Sequence, residues 1–499
     1  MGRSPGGDEI AVGIQRAKPL IRQFGVNMLK HVEGDHSQRA GHADEVVDEP
    51  HAPASRTPDR TCGGSPRHGL QRLLALAEPA APLLVEHGDG SPRWYQRNEW
   101  RVLAPQIAAE EGIGAPIGRF RLDNGDEAML SHDPSSGKVY APFDLAAAYD
   151  VYVSESWAAA TRQRRLSTRQ LDAFYAIKRF IPRPLQLAIR RLLVRWQGVP
   201  TFPAWPLDRS VVRLLHLYAF CVLCAQDKSE APFRWFWPRH YRAAITLTHD
   251  VEGQEGLRLA LGIADLEEEL GFRSSFNLGG WYRPDPGLVR ELTRRGFEIG
   301  VHGLRHDRSL FATRASFEAQ QQPLRDLIKQ LGAVGFRSPA THRVFEWIGE
   351  LPVDYDCSMP HSDPFEPQPG GCCSVWPFFI GPVVELPYTL PQDHTLFTLL
   401  GHRTPDLWIE QATRIEEDYG LIECLTHPDR GYLGNARERG MYAEFLRSMA
   451  ERPHVWRALP RDVAKWWRSR DLGKGDVEYG LVRVGGEPDE VTLEPPVVA

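Results

Sequence analysis

The 499 residues carry 59 basic and 65 acidic side chains, a formal net charge of -6, which excludes a general nucleic-acid binder because phosphate binding wants a basic excess. Hydrophobic residues at 42% and charged residues at 25% exclude a fibre or a wholly disordered chain, and the length asks for two domains rather than one. Seven cysteines, Cys62, Cys221, Cys224, Cys357, Cys372, Cys373 and Cys424, form no regular framework, and the odd count favours a reducing compartment, the cytoplasm.

Residues 1–70 are rich in Gly, Pro, Ser, His, Asp and Arg without a sustained period and read as a disordered tail, with His31, His36, His42 and His51 solvated rather than metal-binding. The first residues lack the apolar core of a secretory signal, and no run reaches the roughly 20 apolar residues of a membrane span. Residues 71–240 form an accessory region, mixed and mainly helical. It opens with a short helix at Leu70–Leu76, and Asn124-Gly125 suits a hairpin turn. Lys178–Gln197 places Leu185, Ile189, Leu192, Leu193 and Trp196 on one helical face, with Arg190, Arg191 and Arg195 elsewhere. That helix is expected to dock on the next domain with a solvated basic face; the alternative is peripheral contact of 185–197 with an anionic membrane surface, at the inner membrane face. Leu214–Ala225 is too short to span a membrane and reads as a buried helix, with Cys221 and Cys224 as packing.

Beyond Tyr241 short apolar strands alternate with helices: strand Ala243–Thr248, helix Glu255–Leu270 ended by Gly271, and strand Arg273–Leu278. A helix begun by Asp285-Pro286 and closed by Gly296 leads to strand Phe297–Val301, followed by helix Ser316–Leu331. Strands near Val334–Arg337, Tyr355, Val383–Leu386 and Leu421–Thr426 complete the series. This alternation predicts an α/β fold with a parallel sheet closed into a barrel or part-barrel, whose chemistry collects where the strands end. Residues 471–499 remain as a C-terminal tail.

Three strand ends carry reactive residues: Asp250 and Glu252 in LTHDVEG, His302 and His306 in GVHGLRHD, and His427 in ECLTHPD. Histidines four apart can face one ion, but among 18 histidines somewhat under one such pair is expected by chance, so the spacing alone is weak. Context strengthens it. A carboxylate and two imidazoles leave positions open for water and substrate, as in catalytic metal sites. A metal there brings water toward neutral pKa and polarises a carbonyl, a second carboxylate takes the water's proton, and a histidine opposite protonates the leaving amine. Each residue also has a bland use. Asp250 or Glu252 can cap the next helix, His427 can be a loop histidine, and Arg337 a surface ion-pair partner. His249 points to the other face of its strand and reads as packing.

At these residues the chain resembles the polysaccharide deacetylases of the NodB-homology class, carbohydrate esterase family four, across residues 241–470. His302-Gly-Leu-Arg-His306 matches the family's paired-histidine motif. Thr248-His-Asp250-Val-Glu252 stands where the family has Thr, an aromatic residue and two acids, with the second acid displaced by one. The resemblance implies Asp250 as base and Glu252, His302 and His306 as metal ligands, with the exchange of roles between Asp250 and Glu252 left open, and Leu425-Thr-His427 as the motif of the general acid. Arg337-Ser-Pro339 resembles the arginine motif, without the usual aromatic residue and Gly after the proline, and Asp354-Tyr355-Asp356-Cys357-Ser358 resembles the segment that supplies an acid and an aromatic wall, which implies Asp354 and Tyr355 at the substrate. It further implies a distorted (β/α) barrel and a hydrolase that removes N-acetyl groups from a sugar or glycan precursor. The ion would be Zn, with Co, Ni or Mn able to substitute. Two other functions stay open: a metal-dependent amidohydrolase acting on a small non-sugar amide or cyclic imide, and a non-catalytic glycan- or membrane-binding protein.

Overall fold

Nine consecutive buried residues, AAITLTHDV, make strand β7 (Ala243–Val251), a pattern expected where both sheet faces are covered. The structure, a computed structural model, describes residues 69–77, 92–105, 114–160 and 183–497; the tail expected over 1–70 lies outside them except for its last two residues. Pro66–Ala499 form a single compact unit.

In the accessory part, helix α1 (Gly69–Leu74) matches the short helix read from the sequence. Strands β1 (Pro92–Arg97), β2 (Trp100–Pro105), β3 (Ala115–Leu122), β4 (Glu127–Asp133) and β5 (Lys138–Tyr140) form an antiparallel sheet in the order β2-β1-β3-β4-β5. The β3–β4 hairpin turns at Gly125, whose φ of 92° is open to glycine. Helices α2 (Leu145–Val153), α3 (Arg183–Gln197) and α4 (Ser210–Ala225) follow. The sheet is larger than the emphasis on helices anticipates: its strands are short and half-exposed, and β3 alternates cleanly, with Phe120 and Leu122 buried and Arg119 and Arg121 exposed. Helix α4 is buried nearly throughout, Cys221 included, as expected of a core helix.

After β6 (Glu230–Arg234) and β7 come helix α5 (Gln254–Glu269), β8 (Ser275–Leu278), helix α6 (Pro286–Arg294), β9 (Glu298–Val301), helix α7 (Arg314–Leu331), β10 (Gly335–Phe336), β11 (Tyr355–Asp356), β12 (Phe378–Ile380), β13 (Val383–Glu385), helix α8 (Asp406–Glu417), β14 (Leu421–Thr426), helix α9 (Ala436–Ala450), β15 (Val455–Arg457) and helix α10 (Pro460–Leu472). Local signals set the ends. Asp285 caps α6 by accepting from the Gly287 N–H, with Pro286 in its first turn, and Gly332 at φ 64° ends α7.

The strands run β13-β11-β10-β9-β8-β7-β14, each parallel to its neighbour, with β12 antiparallel beyond β13 and β15 beside β7. Thr389 and Leu390, just past β13, donate to the Glu423 carbonyl of β14 at 3.2 and 3.1 Å. These bonds bring the two ends of the series together, so the sheet is a distorted seven-stranded (β/α) barrel. The segment past 470, expected as a tail, instead supplies β16 (Tyr479–Val484) and β17 (Val491–Glu494), which extend β6 into a three-stranded antiparallel sheet. Among the described residues no helix is long and apolar enough to cross a membrane.

Accessory part and barrel share a hydrophobic cluster and several buried polar fastenings, two of which stand out. Trp157 Nε1 donates to the Gly371 carbonyl at 3.0 Å. Glu155 grips Arg343 through both oxygens at 2.8 and 2.5 Å, nearly free of solvent. Helix α3 docks through part of the basic face expected to be solvated: Arg190 and Arg191 bond to the barrel, while Leu185 and Leu192 are exposed.

Candidate active site

Along β7 the side chains alternate. Thr248 and Asp250 face the barrel interior, and His249 faces the helices, where its ring nitrogens bond Thr426 Oγ1 at 2.7 Å and Glu267 Oε1 at 2.8 Å. His249 is therefore packed as expected, its ring stacked on Phe276 at 4.7 Å between centroids, with both nitrogens also paired. Asp250 pairs in register with Asn277 of β8, whose amide donates to Asp250 Oδ1 at 2.9 Å. Burial disfavours ionisation of Asp250, yet the Arg337 and His427 cations and the Asn277 amide outweigh it and hold its carboxyl below the usual range.

His302 follows β9 directly. Its Nδ1 donates to the Arg337 carbonyl at 3.0 Å, which leaves Nε2 unprotonated and able to bind a metal or accept a proton. Burial lowers its pKa to about 4, so the ring is neutral at pH 7. Gly303, at φ 85° and against the Pro339 ring, turns the chain toward His306, whose Nε2 lies 3.3 Å from Glu252 Oε1. The two imidazoles stand 5.7 Å apart between centroids, with Trp281 beside both. Trp281 Nε1 also donates to the Glu252 carbonyl at 3.2 Å. Burial opposes the charge of Glu252, but the hydrogen bond from His306 and the His427 cation keep the carboxylate ionised.

On the far side, His427 follows β14. Its Nδ1 donates to Asp393 Oδ1 at 2.7 Å and its backbone N–H to Asp393 Oδ2 at 2.9 Å. Burial alone would lower the pKa of His427; the Asp393 carboxylate, with Glu252 and Asp250 farther off, raises it to about 10. The ring is a cation at neutral pH, with Nε2 hydrogen-bonded to nothing among the described residues. Asp429 accepts the Glu252 backbone N–H at 3.1 Å, so the loops after β14 and β7 are tied together. A Cβ on Gly256 would meet the Asp429 carboxylate at 2.4 Å, which makes that glycine necessary there.

Asp250, Glu252, His302, His306 and His427 thus gather at one mouth of the barrel. Arg337 is there too, but its Nη2 bonds Glu423 Oε1 at 2.9 Å and Thr248 Oγ1 at 3.1 Å rather than Asp250, so it acts on the base as a nearby charge. Asp354 and Tyr355, expected at the substrate, are not at this mouth. Asp354 is exposed at the start of β11, the opposite end of the barrel. Tyr355 points outward, and its hydroxyl donates to Glu298 Oε1 at 2.8 Å. Inward alternation instead gives the interior to Asp356, which faces Glu385; burial raises both carboxyls.

Asp393, Asn277 and Asp429 were not singled out in the sequence. Asn277 carried a usable signal, a polar residue inside an apolar strand next to the one bearing Asp250. Asp393 carried none, because it lies in a long connection after β13 and meets His427 only through the fold.

Among the described residues no group of three or more His, Cys, Asp or Glu side chains is drawn close enough to hold a metal ion. The donor chemistry nevertheless fits one. His302 presents a neutral Nε2, Glu252 is ionised and engaged with His306 at 3.3 Å, and the two imidazoles stand 5.7 Å apart between centroids.

No family model and no curated protein matches the chain. Solved structures do match about half of it. A Mycobacterium smegmatis protein described as a polysaccharide deacetylase is similar at 19% identity and TM-score 0.38, over 48% of this chain and 94% of that one. An allantoinase is similar at 15% identity and TM-score 0.38, over 47% of this chain and 93% of that one. A family 4 carbohydrate esterase from Streptomyces lividans, in complex with acetate, is similar at 13% identity and TM-score 0.29, over 43% of this chain and 92% of that one.

Proposed function

We propose that this chain is a metal-dependent hydrolase that removes N-acetyl groups from an N-acetylated sugar or glycan precursor. The observation that carries the reading is a charge arrangement. Across one barrel mouth an ionised Asp250 faces a protonated His427, with a neutral His302 and the Glu252–His306 pair between the strand ends that bear them.

Glu252, His302 and His306 would hold a divalent ion, zinc first and cobalt, nickel or manganese as substitutes; when bound, it supplies a polarised carbonyl and a more acidic water. Asp250, held in place by Asn277, takes a proton from the water that attacks the acetyl carbon. His427 gives its Nε2 proton to the nitrogen as the C–N bond breaks, so acetate and a free amine leave. Asp393 keeps the imidazole turned so that Nε2 is the donor. Arg337, buried and charged, favours the ionised form of Asp250.

Purified protein should release acetate from N-acetylglucosamine oligomers, more with added Zn²⁺ or Co²⁺ than after chelation. Failure to release acetate under any metal condition would remove this reading. A second reading, a small amide or cyclic imide as substrate, draws on the loop after Arg337. There Ala340 and Thr341 take left-handed backbone and His342 is buried, in place of an aromatic residue and Gly. Turnover of imides without acetate release from sugars would favour it. A non-catalytic glycan binder would bind sugars without turning over either class.

A further inference from the structure

Helix α3 belongs to the N-terminal half, yet two of its arginines end in the wall of the reaction centre. Arg190 Nη1 lies 3.0 Å from His394 Nε2, and its Nη2 donates to the Phe365 carbonyl at 3.0 Å. Arg191 Nε donates to the Thr398 carbonyl at 2.8 Å. His394 and Thr398 both lie in a π-helical turn, His394–Leu399, which Asp393 caps through its side chain. Such turns are rare and are frequent at functional sites. Here the turn immediately follows the carboxylate that holds His427.

The chemistry of the contact fixes a proton. A guanidinium has donors and no acceptor, so His394 Nε2 accepts from Arg190 and the ring's own proton sits on Nδ1. That nitrogen is 3.3 Å from the Tyr432 hydroxyl. The Tyr432 ring lies against His427 at 4.8 Å between centroids and a tilt of 32°. One face of the His427 ring is therefore backed through Tyr432 and His394 by Arg190. Its Nδ1 edge is held by Asp393, whose Oδ1 also accepts the His394 backbone N–H at 2.7 Å.

We propose that Arg190 is a positioning residue for the acid: it selects the Nδ1–H tautomer of His394 and, through Tyr432 and the π-turn, holds the His427 imidazole in its donating attitude. The N-terminal half is then a working part of the reaction centre rather than a separate binding module. The acid role of His427 in this statement rests on the function proposed above.

Two readouts on the full-length chain separate the arrangement from the reaction. In long-range proton–nitrogen spectra of histidine-labelled protein, His394 should appear as the Nδ1–H tautomer, the one a free imidazole favours less. Arg190→Ala should convert it to the Nε2–H or an averaged form. In acetate-release kinetics Arg190→Ala should lower kcat about tenfold with KM nearly unchanged, the signature of lost orientation. Arg190→Lys, able to replace only one of the two bonds, should fall between. An Nε2–H tautomer in the wild type, or a spectrum and kcat indifferent to Arg190→Ala, overturns the proposal. A tautomer switch in a wild type that releases no acetate leaves the arrangement standing and removes the acid role.

Discussion

Two histidine–carboxylate pairs stand on neighbouring strands of this barrel, and they differ in what is left over. His249 and Glu267, on the helix side of β7, are fully enclosed, and both imidazole nitrogens are committed, to Thr426 and Glu267. Tyr442 also donates to Glu267 Oε1 at 2.6 Å. His427 and Asp393, at the strand ends, use only Nδ1, leaving Nε2 toward the mouth where Asp250 and Glu252 lie. Buried charge pairs stabilise little in net terms once desolvation is counted. The closed pair is therefore a fastening between sheet and helices, and in the proposed function the open one is a proton donor held in position.

Substitutions can break this contrast. The largest effect is expected at the open pair's chemistry: His427→Ala and Asp250→Asn should each cut the acetate-release rate per folded molecule by about 10²–10⁴, and His427→Ala should also lower the melting temperature, because Asp393 stays buried without its partner. His249→Ala should lower stability alone. Glu267 would be left buried without its partner, costing on the order of 3–5 kcal/mol of stability by thermal or denaturant unfolding, while the rate per folded molecule stays near wild type.

Asp393→Asn sharpens the contrast through pH. The folded pKa of His427 is raised, to about 10, so the donor is present through neutral pH and lost as pH rises through that value. Without the carboxylate, burial prevails, and the alkaline limb of the rate profile should move down by several pH units, with about a 10- to 100-fold loss at pH 8. The pairing's stability, present below the unfolded value of about 6.5, should likewise fade toward pH 10. The smallest effects belong to the residues expected at the substrate: Tyr355→Phe should cost about 1 kcal/mol through its bond to Glu298, and Asp354→Asn should change neither rate nor stability.

The barrel was legible because each of its longer elements carries its own local signal. Strand β14 has the boundaries read from its apolar run, and the helix starts at Asp285-Pro286 and the stop at Gly332 follow from capping chemistry. The mouth was legible for a related reason: Asp250, His302 and His427 sit where apolar runs end. What escaped depends on contacts between distant parts of the chain. The side of β11 that faces inward is set by strand alternation, which a two-residue strand cannot display, so Tyr355 was placed inside and Asp356 passed over. Asp393 reaches His427 across 34 residues of chain, and Arg190 reaches His394 across 204. The amphipathic pattern of α3 gave the helix but not which face it would bury, because arginines that bond to carbonyls dock as firmly as leucines do.

The most direct measurement is the zinc content of the purified protein and of its His302→Ala and Glu252→Gln variants after equilibrium dialysis. About one tightly held ion per chain in the wild type, lost in both variants while the fold persists, is the result expected if the strand ends converge on one cation opposite His427. Equal zinc in all three, or none in any, would contradict it.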